Sequence, residues 1–455
     1  MGGLRAEAEA VVRRLRQAGH VAYFVGGCVR DLLLGREPDD YDVATDAPPE
    51  RVLGLFTAAH TVGKSFGVVR VQSGADWFEV ATFRSESDYT DGRHPDRVRF
   101  ADVRTDAGRR DFTLNALYFD PETGDVLDYV GGRADLAARV LRCVGDPAIR
   151  FEEDALRLLR AVRFAARDGL QIETGTWEAL RVHAPRVTQL AAERVRDELL
   201  AILTGPAPRR GMELLQASGL LAFVLPEVEA TRGCTQSPDH HPEGDVWEHT
   251  LRMLDAMQAP DDALALGVLL HDVAKPVTRS VDDGRIHFYG HAERGQEMAA
   301  GILARLRIPL RVQDQVLAMI GQHMRFLDTP RMKPSTRRRF VLQPHFAQVL
   351  ELHRLDALGA RGDLTHWDLC RRELEALSET DAPLKPLLGG DDLQALGYVA
   401  GPSLGVILRA LVDAQLEGAI TDRAAALAWV RRYFPVQPAL DKSEPDRHPD
   451  ERRGD

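Results

Sequence analysis

Apolar and polar positions alternate differently in the two parts of the chain. Up to about residue 150, short β-branched or aromatic runs at Val21–Val25, Val68–Val71, Phe78–Phe83 and Leu114–Phe119 are separated by Gly, Pro and Asp turns. That pattern predicts strands interleaved with helices. From Phe151 onward strand signals nearly vanish, and apolar residues return at helical spacing, as in Ala155–Ala166, Arg194–Leu203 and Arg210–Leu215. Thr231–His241, rich in Gly, Ser, Pro and His, reads as a break, and a hinge at Pro383–Gly390 precedes a last helical block, Leu393–Phe434. Asp441–Asp455 is polar, without periodicity, and is expected to be disordered. The fold class expected is multidomain α+β. A head over 1–150 carries a small mixed β-sheet, followed by all-α segments over 151–230, 235–365 and 366–435, with 436–455 disordered.

Composition narrows the field. With 455 residues, 44% apolar and 28% charged, the chain has material for several buried cores. Its formal charge of −11, from 69 acidic and 58 basic side chains, lacks the basic excess of the usual nucleic-acid binder. Net charge reports the average field, not where the positive residues sit. Four cysteines without a C-x-x-C pair imply neither a disulfide framework nor a thiolate zinc site, which fits a reducing cytoplasm. No apolar run approaches the ~18 residues of a membrane span, so no membrane is expected as a partner. The N-terminus has no apolar core of signal-peptide length. Nothing in the pattern assigns an oligomeric state.

Candidate chemistry begins at Gly26-Gly27-Cys28-Val29-Arg30-Asp31, which follows a predicted strand and opens a helix. Glycines there let backbone N–H groups approach a phosphate, with Arg30 and the helix N-terminus adding positive potential; a tight turn has the same sequence. In Asp39-Asp40-Tyr41-Asp42-Val43, Asp40 and Asp42 stand two apart, so in a strand both carboxylates leave one face while Tyr41 points to the other. Such a pair suits Mg²⁺, with substrate phosphates completing the shell. Glu79, in the strand Phe78–Phe83, would supply a third carboxylate, or it pairs across strands on a solvated face. Arg109-Arg110-Asp111-Phe112-Thr113-Leu114-Asn115 brings arginine forks that match phosphate and an Asp able to hold a ribose hydroxyl; an ion-pair cluster is the alternative.

Together, Gly26-Gly27-x-Val29-Arg30-Asp31, Asp40-x-Asp42, Arg110-Asp111-Phe112-Thr113-x-Asn115-Ala116 and Glu153-Asp154-Ala155-Leu156-Arg157 closely resemble the class II tRNA nucleotidyltransferases. This group contains the CCA-adding enzymes and their poly(A) polymerase relatives, in the DNA polymerase β superfamily. The resemblance covers about the first 200 residues. It implies a metal pair on Asp40 and Asp42, triphosphate contacts at Gly26, Gly27 and Arg30, and ribose contacts on the Arg110–Asp111 segment, with Asn115 also in the nucleotide-binding set. The partners it implies are tRNA, CTP and ATP.

Asp154 and Arg157 are expected on one helix face, three residues apart, with Arg160 and Arg163 further along joining the nucleotide-binding set. For an arbitrary helix that pair is an ion pair. Here it matches the family's nucleobase-reading motif. A carboxylate accepts from the amino group of cytosine or adenine while a guanidinium donates to the adjacent ring nitrogen, whereas uracil and guanine leave both mismatched.

The polar loop Tyr89–Phe100 resembles the flexible loop of enzymes that switch from C to A addition. In Val62-Gly63-Lys64-Ser65-Phe66, Ser65 interrupts the basic run typical of poly(A) polymerases. Complete CCA addition is therefore the first reading, with A-only addition or polyadenylation as alternatives.

A second constellation comprises His249, His271-Asp272 inside an apolar run over Ala263–Ala274, His291, His323 and Asp356. Burying an ionisable His-Asp pair is costly unless it is paired or metal-bound. The series resembles HD-domain phosphohydrolases with a full two-metal set, departing from many of them at Ala274. Imidazole-rich coordination suits Mn, Fe, Co, Ni or Zn, and such a centre activates water against a phosphate ester. The resemblance implies phosphatase or 2′,3′-cyclic phosphodiesterase activity. Gly389-Gly390-Asp391-Asp392-Leu393 and Gly401-Pro402 resemble the family's C-terminal segment. Rival readings from other classes are an RNA-binding protein with an inactive head, and an HD hydrolase acting on a signalling nucleotide.

Overall fold

The computed structural model describes residues 3–62, 67–87, 97–238, 241–242, 244–378 and 386–435. Most of the Tyr89–Phe100 loop, residues 63–66, part of the Pro383–Gly390 hinge and the 436–455 tail lie outside the described residues.

The head contains the strands β1 (Ala22–Val25), β2 (Asp42–Thr45), β3 (Ala59–Thr61), β4 (Val68–Ser73), β5 (Asp76–Thr82), β6 (Arg84–Ser87), β7 (Arg97–Phe100), β8 (Leu117–Phe119) and β9 (Val126–Asp128). Seven of them make one mixed sheet in the order β3-β4-β5-β2-β1-β8-β9, and β6 and β7 pair separately. Only the β2–β5 pair in that sheet is parallel. The helix Leu4–Gln17 buries Ala8, Val11, Val12 and Leu15, at helical spacing, against Phe24, Val43, Val71 and Val80 on one sheet face. The opposite face packs Val25, Ala44, Phe83 and Tyr118.

Two local expectations are corrected. The run Leu114–Phe119 is a strand only from Leu117, because Thr113–Asn115 forms a 3-10 turn. Side chains hold that turn: Thr113 Oγ1 donates to Asp135 and Asn115 Nδ2 to Asp111. A hairpin, Ser280–Asp282 with Arg285–His287, also interrupts the helical part. Its turn residues Asp283 (φ 50°) and Gly284 (φ 75°) are the Asp-Gly pair that such turns favour.

The helices Pro147–Glu153, Leu156–Arg167, Ala192–Leu203 and Pro208–Ala217 follow the head. A further set, Val246–Ala256, Asp262–Leu270, His291–Arg305 and Leu310–Gln322, comes next. The fold divides into two units, one within Met1–His323 and Arg354–Gly362, the other within Met324–His353 and Asp363–Asp455. In the second unit Phe326 stacks on Phe346 and both meet Phe340 edge-on, and Leu393, Ile407, Leu411 and Val430 form a core. No described helix is long and apolar enough to cross a membrane.

Candidate functional site

Strand register brings the head residues to one end of the sheet. Val25, the last residue of β1, lies opposite Asp42, the first of β2, so the Gly26-Gly27 turn and Asp42 leave the sheet together. Val43 pairs with Val80 in parallel, which sets Glu79 beside Asp42 on the face away from the apolar contacts of Val43 and Val80. Tyr41 is buried in that apolar core, while Asp40 is exposed and Asp42 half-buried. Burial, then the charges of Asp40 and Glu79, push the Asp42 carboxyl up to about 7 despite nearby Arg110. A divalent cation would relieve that repulsion, so the donor set fits one.

Gly26 has φ 78°, and a Cβ there would stand 3.7 Å from Arg110 Nη1. Arg110 is held from behind: its Nη2 donates to Asp106 Oδ2 at 3.0 Å and its Nε to the Tyr118 hydroxyl at 3.2 Å. Gly27, at the first turn of the helix Gly27–Leu33, leaves the backbone open beside it.

Arg30 differs from expectation. It is 2% exposed, and its guanidinium donates to Asn115 Oδ1 at 2.7 Å and to both oxygens of Asp31. It lies on the inner face of its short helix and fastens the Gly26-Gly27 turn to the Arg110–Asn115 segment. Asp111, also buried, accepts from Arg160 Nε and Nη2 at 2.9 and 2.6 Å. Burial raises its pKa, but Arg160 outweighs this and the group lies below the ordinary carboxylate value. Arg163 donates to Glu198 at 2.7 Å, and both arginines lie over the Phe164 ring.

The expectation that Asp154 and Arg157 share a helix face is corrected. The helix Pro147–Glu153 ends before Asp154, whose backbone is extended (φ −147°, ψ 105°), and the next helix starts at Leu156. Asp154 Oδ1 accepts from the Leu156 N–H, the local bond by which Asp leaves a helix. Its two oxygens accept from Arg194 at 3.1 and 2.8 Å, while Arg157 donates to Glu153 at 2.6 Å. Arg194, 40 residues away from Asp154, and Glu198 were not singled out in the sequence. Their signal was only a charged helix face.

The second constellation is compact. His249 is fully buried, His271, Asp272, His291 and His323 are buried, and Asp356 is half-buried. His249, His271 and Asp272 form one set, and Asp272, His291 and His323 another, whose ligand atoms lie within 4.8 Å of one another. His249 Nε2 stands 3.0 Å from Asp356 Oδ1. The Nδ1 atoms of His271, His291 and His323 each face the carbonyl three residues earlier, at 2.9, 2.8 and 2.6 Å. An Nδ1–H donating there leaves the Nε2 lone pairs free to bind metal. Burial pushes His323 down to about 4, favouring that neutral form. For Asp272, burial acts upward, but the charges of His271 and Lys275 hold it well below the usual range. Among the described residues Asp272 Oδ1 is buried without a hydrogen-bond partner, as an atom awaiting a cation is, while His271 Nε2 stands 3.1 Å from Asp272 Oδ2. Lys275, which the sequence reading passed over, is buried and donates to Asp272 Oδ2 at 2.6 Å. Its signal was a lysine three positions after the His-Asp pair.

Residues 22–142 match the poly A polymerase head domain family, 169–231 the probable RNA- and SrmB-binding site of polymerase A, and 245–356 the HD domain. An A-adding tRNA nucleotidyltransferase of Deinococcus radiodurans is 35% identical over 435 residues, 92% of this chain and 96% of that protein. The chain belongs to the tRNA nucleotidyltransferase family. A CC-adding tRNA nucleotidyltransferase of Thermus thermophilus is likewise 35% identical over 446 residues, 94% of this chain and 97% of the relative. A CCA-adding enzyme of Levilactobacillus brevis is 46% identical over 217 residues, 48% of this chain and 54% of that enzyme, so this match spans about half its length. The crystal structure of a Bacillus stearothermophilus CCA-adding enzyme in complex with CTP superposes with a TM-score of 0.71 at 28% identity, covering 95% of this chain and 99% of that one. Family membership agrees with the resemblance read from the motifs.

Proposed function

We propose that the chain adds CCA to the 3′ end of tRNA without a nucleic-acid template, using CTP and then ATP. The observation that carries this reading is the gathering of the Gly26-Gly27 turn, Arg110, Asp42 and Glu79 at one end of the head sheet. Asp40 and Asp42, with Glu79 beside them, would hold Mg²⁺, which when bound activates the attacking hydroxyl and offsets the charge of the leaving pyrophosphate. Gly26 and Gly27 admit the triphosphate close to the backbone, and Arg110 faces it with a fixed positive charge. The tRNA 3′ oxygen bonds to the α-phosphorus as the α–β bridging bond breaks and pyrophosphate leaves with the electron pair. Asp154 and Arg157 read the nucleobase once it takes the places of Arg194 and Glu153. Nucleotide transfer is assigned to 1–150, base reading and RNA contact to 151–230, hydrolysis to 235–365, and a helical tail to 366–435.

The test starts from tRNA lacking its CCA end, with Mg²⁺ and each labelled nucleotide in turn. Complete addition gives three added nucleotides, CTP first. Extension only of tRNA already ending in CC assigns A-addition, arrest after two assigns CC-addition, and a ladder of adenylates assigns polyadenylation. Two relatives that match nearly the whole chain are named for A- and CC-addition, so product length decides among these. An Asp40→Ala variant that extends tRNA as well as the parent would overturn the head assignment.

The two metal-directed sets carry a second activity, hydrolysis of phosphate esters such as a 2′,3′-cyclic end. Mn, Fe, Co, Ni or Zn would sit there, polarising water against phosphorus. A His271→Ala, Asp272→Ala double variant that keeps full cyclic-phosphate hydrolysis would remove this assignment.

A further inference from the structure

Next to the HD residues lies a side chain that neither site has used. Gln236 sits just after the neck, the helical stretch 151–230, where Thr235 bridges Asp245, and is 3% exposed. Its Oε1 accepts a 2.6 Å hydrogen bond from Lys275 Nζ, the same ammonium that donates to Asp272 Oδ2 at 2.6 Å. An ammonium carries donors only, so the amide oxygen must face Lys275 and the amide NH₂ must point away from it. Among the described residues that Nε2 is buried without a hydrogen-bond partner, and so is Oδ1 of Asp272, whose other oxygen the same ammonium bonds. Buried amide donors are almost always paired, and an unpaired one on a side chain held by the same ammonium as a metal-directed carboxylate marks where a ligand atom arrives. The ligand must offer an acceptor and tolerate the positive charge of Lys275 and of any metal ion the histidine–aspartate sets would hold, which describes an anionic oxygen.

We propose that Gln236 Nε2 donates to a non-bridging oxygen of the phosphate ester taken by the HD centre, with Lys275 fixing the amide in that orientation. The proposal rests on the hydrolase reading above. Gln236 is then a substrate-binding residue and Lys275 a positioning residue, joined through a single acceptor atom. The phosphate group gains one neutral donor, so recognition adds no charge to a site that metal ions, when bound, would make positive.

Gln236→Glu is the discriminating variant. It keeps side-chain length and an acceptor for Lys275 but removes the donor and faces the anion with a carboxylate. The full-length protein is loaded with Mn²⁺ and titrated with inorganic phosphate by calorimetry, with metal content per chain measured alongside. The expected result is phosphate affinity weakened about tenfold or more at parental metal content. The KM for a 2′,3′-cyclic nucleotide should rise by a similar factor, and Gln236→Ala should show a smaller loss in the same direction. Parental phosphate affinity in Gln236→Glu, in a parent that hydrolyses the cyclic ester, overturns the role of the amide alone. A parent that neither binds phosphate on its metals nor hydrolyses the ester overturns the hydrolase reading and this proposal with it. Loss of metal in Gln236→Glu would make the residue a brace for Asp272 and would also overturn the proposal.

Discussion

Asp106 shows how a carboxylate that never meets substrate can set up a site. It is 1% exposed and accepts from Arg110 and from the Tyr118 hydroxyl, at 3.0 and 2.5 Å. Burial alone would raise its pKa, but Arg110, Arg109 and Tyr118 outweigh that and bring it to about 2. Unfolded, an Asp titrates at about 3.9. The folded form therefore binds fewer protons between these values, so the stabilisation is complete above about pH 4 and is lost as pH falls through 2. The shift corresponds to ~2 kcal/mol. Asp106→Asn should cost about that much at pH 7 in urea unfolding of the head, with the difference from the parent shrinking toward pH 2. A difference that stays constant over that range would show that the carboxylate charge contributes nothing. The neighbouring carboxylates were legible without a structure because Asp40-x-Asp42 is local. The partner of Arg30 was not, because Asn115 lies 85 residues on. A buried guanidinium and a phosphate-facing one look alike in sequence, and only packing tells them apart.

Helices approach one another closely where glycine allows it. A Cβ on Gly211 would lie 2.3 Å from Ile202 Cγ2, so the helices Ala192–Leu203 and Pro208–Ala217 touch through that position. Gly211→Ala must push them apart or force Ile202 off its rotamer. A loss of about 1–3 kcal/mol is expected from thermal or urea unfolding, despite the better helix propensity of alanine. A stability gain would mean that Ile202 turns aside freely. Gly359 has a related place against the HD centre, where a Cβ would meet Met253 Cγ at 2.8 Å and His249 Cε1 at 3.1 Å. The helical neck was legible from its 3.6-residue period. The break at Asp154 was not, because periodicity continues on both sides of it and the deciding bond, Asp154 to the Leu156 N–H, costs only one residue of helix. The Ser280–His287 hairpin was missed for a different reason. Its strands are three residues each, too short for alternation to register, though Asp283-Gly284 marked the turn.

Across the whole chain, a net charge of −11 would discourage a nucleic-acid partner, yet the family is one that acts on tRNA. Many arginines are committed internally: Arg30, Arg110, Arg157, Arg160, Arg163 and Arg194 all pair with acids. If the proposed function holds, RNA contact would rely on shape and on local basic stretches such as Arg331-Met332-Lys333. The expected consequence is a shallow salt dependence. A plot of log affinity for tRNA against log salt should have a slope corresponding to a few released counterions, and a slope near that of about ten phosphate contacts would contradict it. Local sequence was enough to establish which chemical groups this protein carries, and in which order. The Gly-Gly turn, the Asp pair, the His-Asp pair and the helical periods are each short-range patterns, written within a few residues. Which side chain faces which was settled by packing. Arg194 on Asp154, Arg160 on Asp111, and Gln236 on Lys275 are contacts between segments far apart in the chain. Their energies depend on burial and distance, and neither exists until the helices and the sheet have come together.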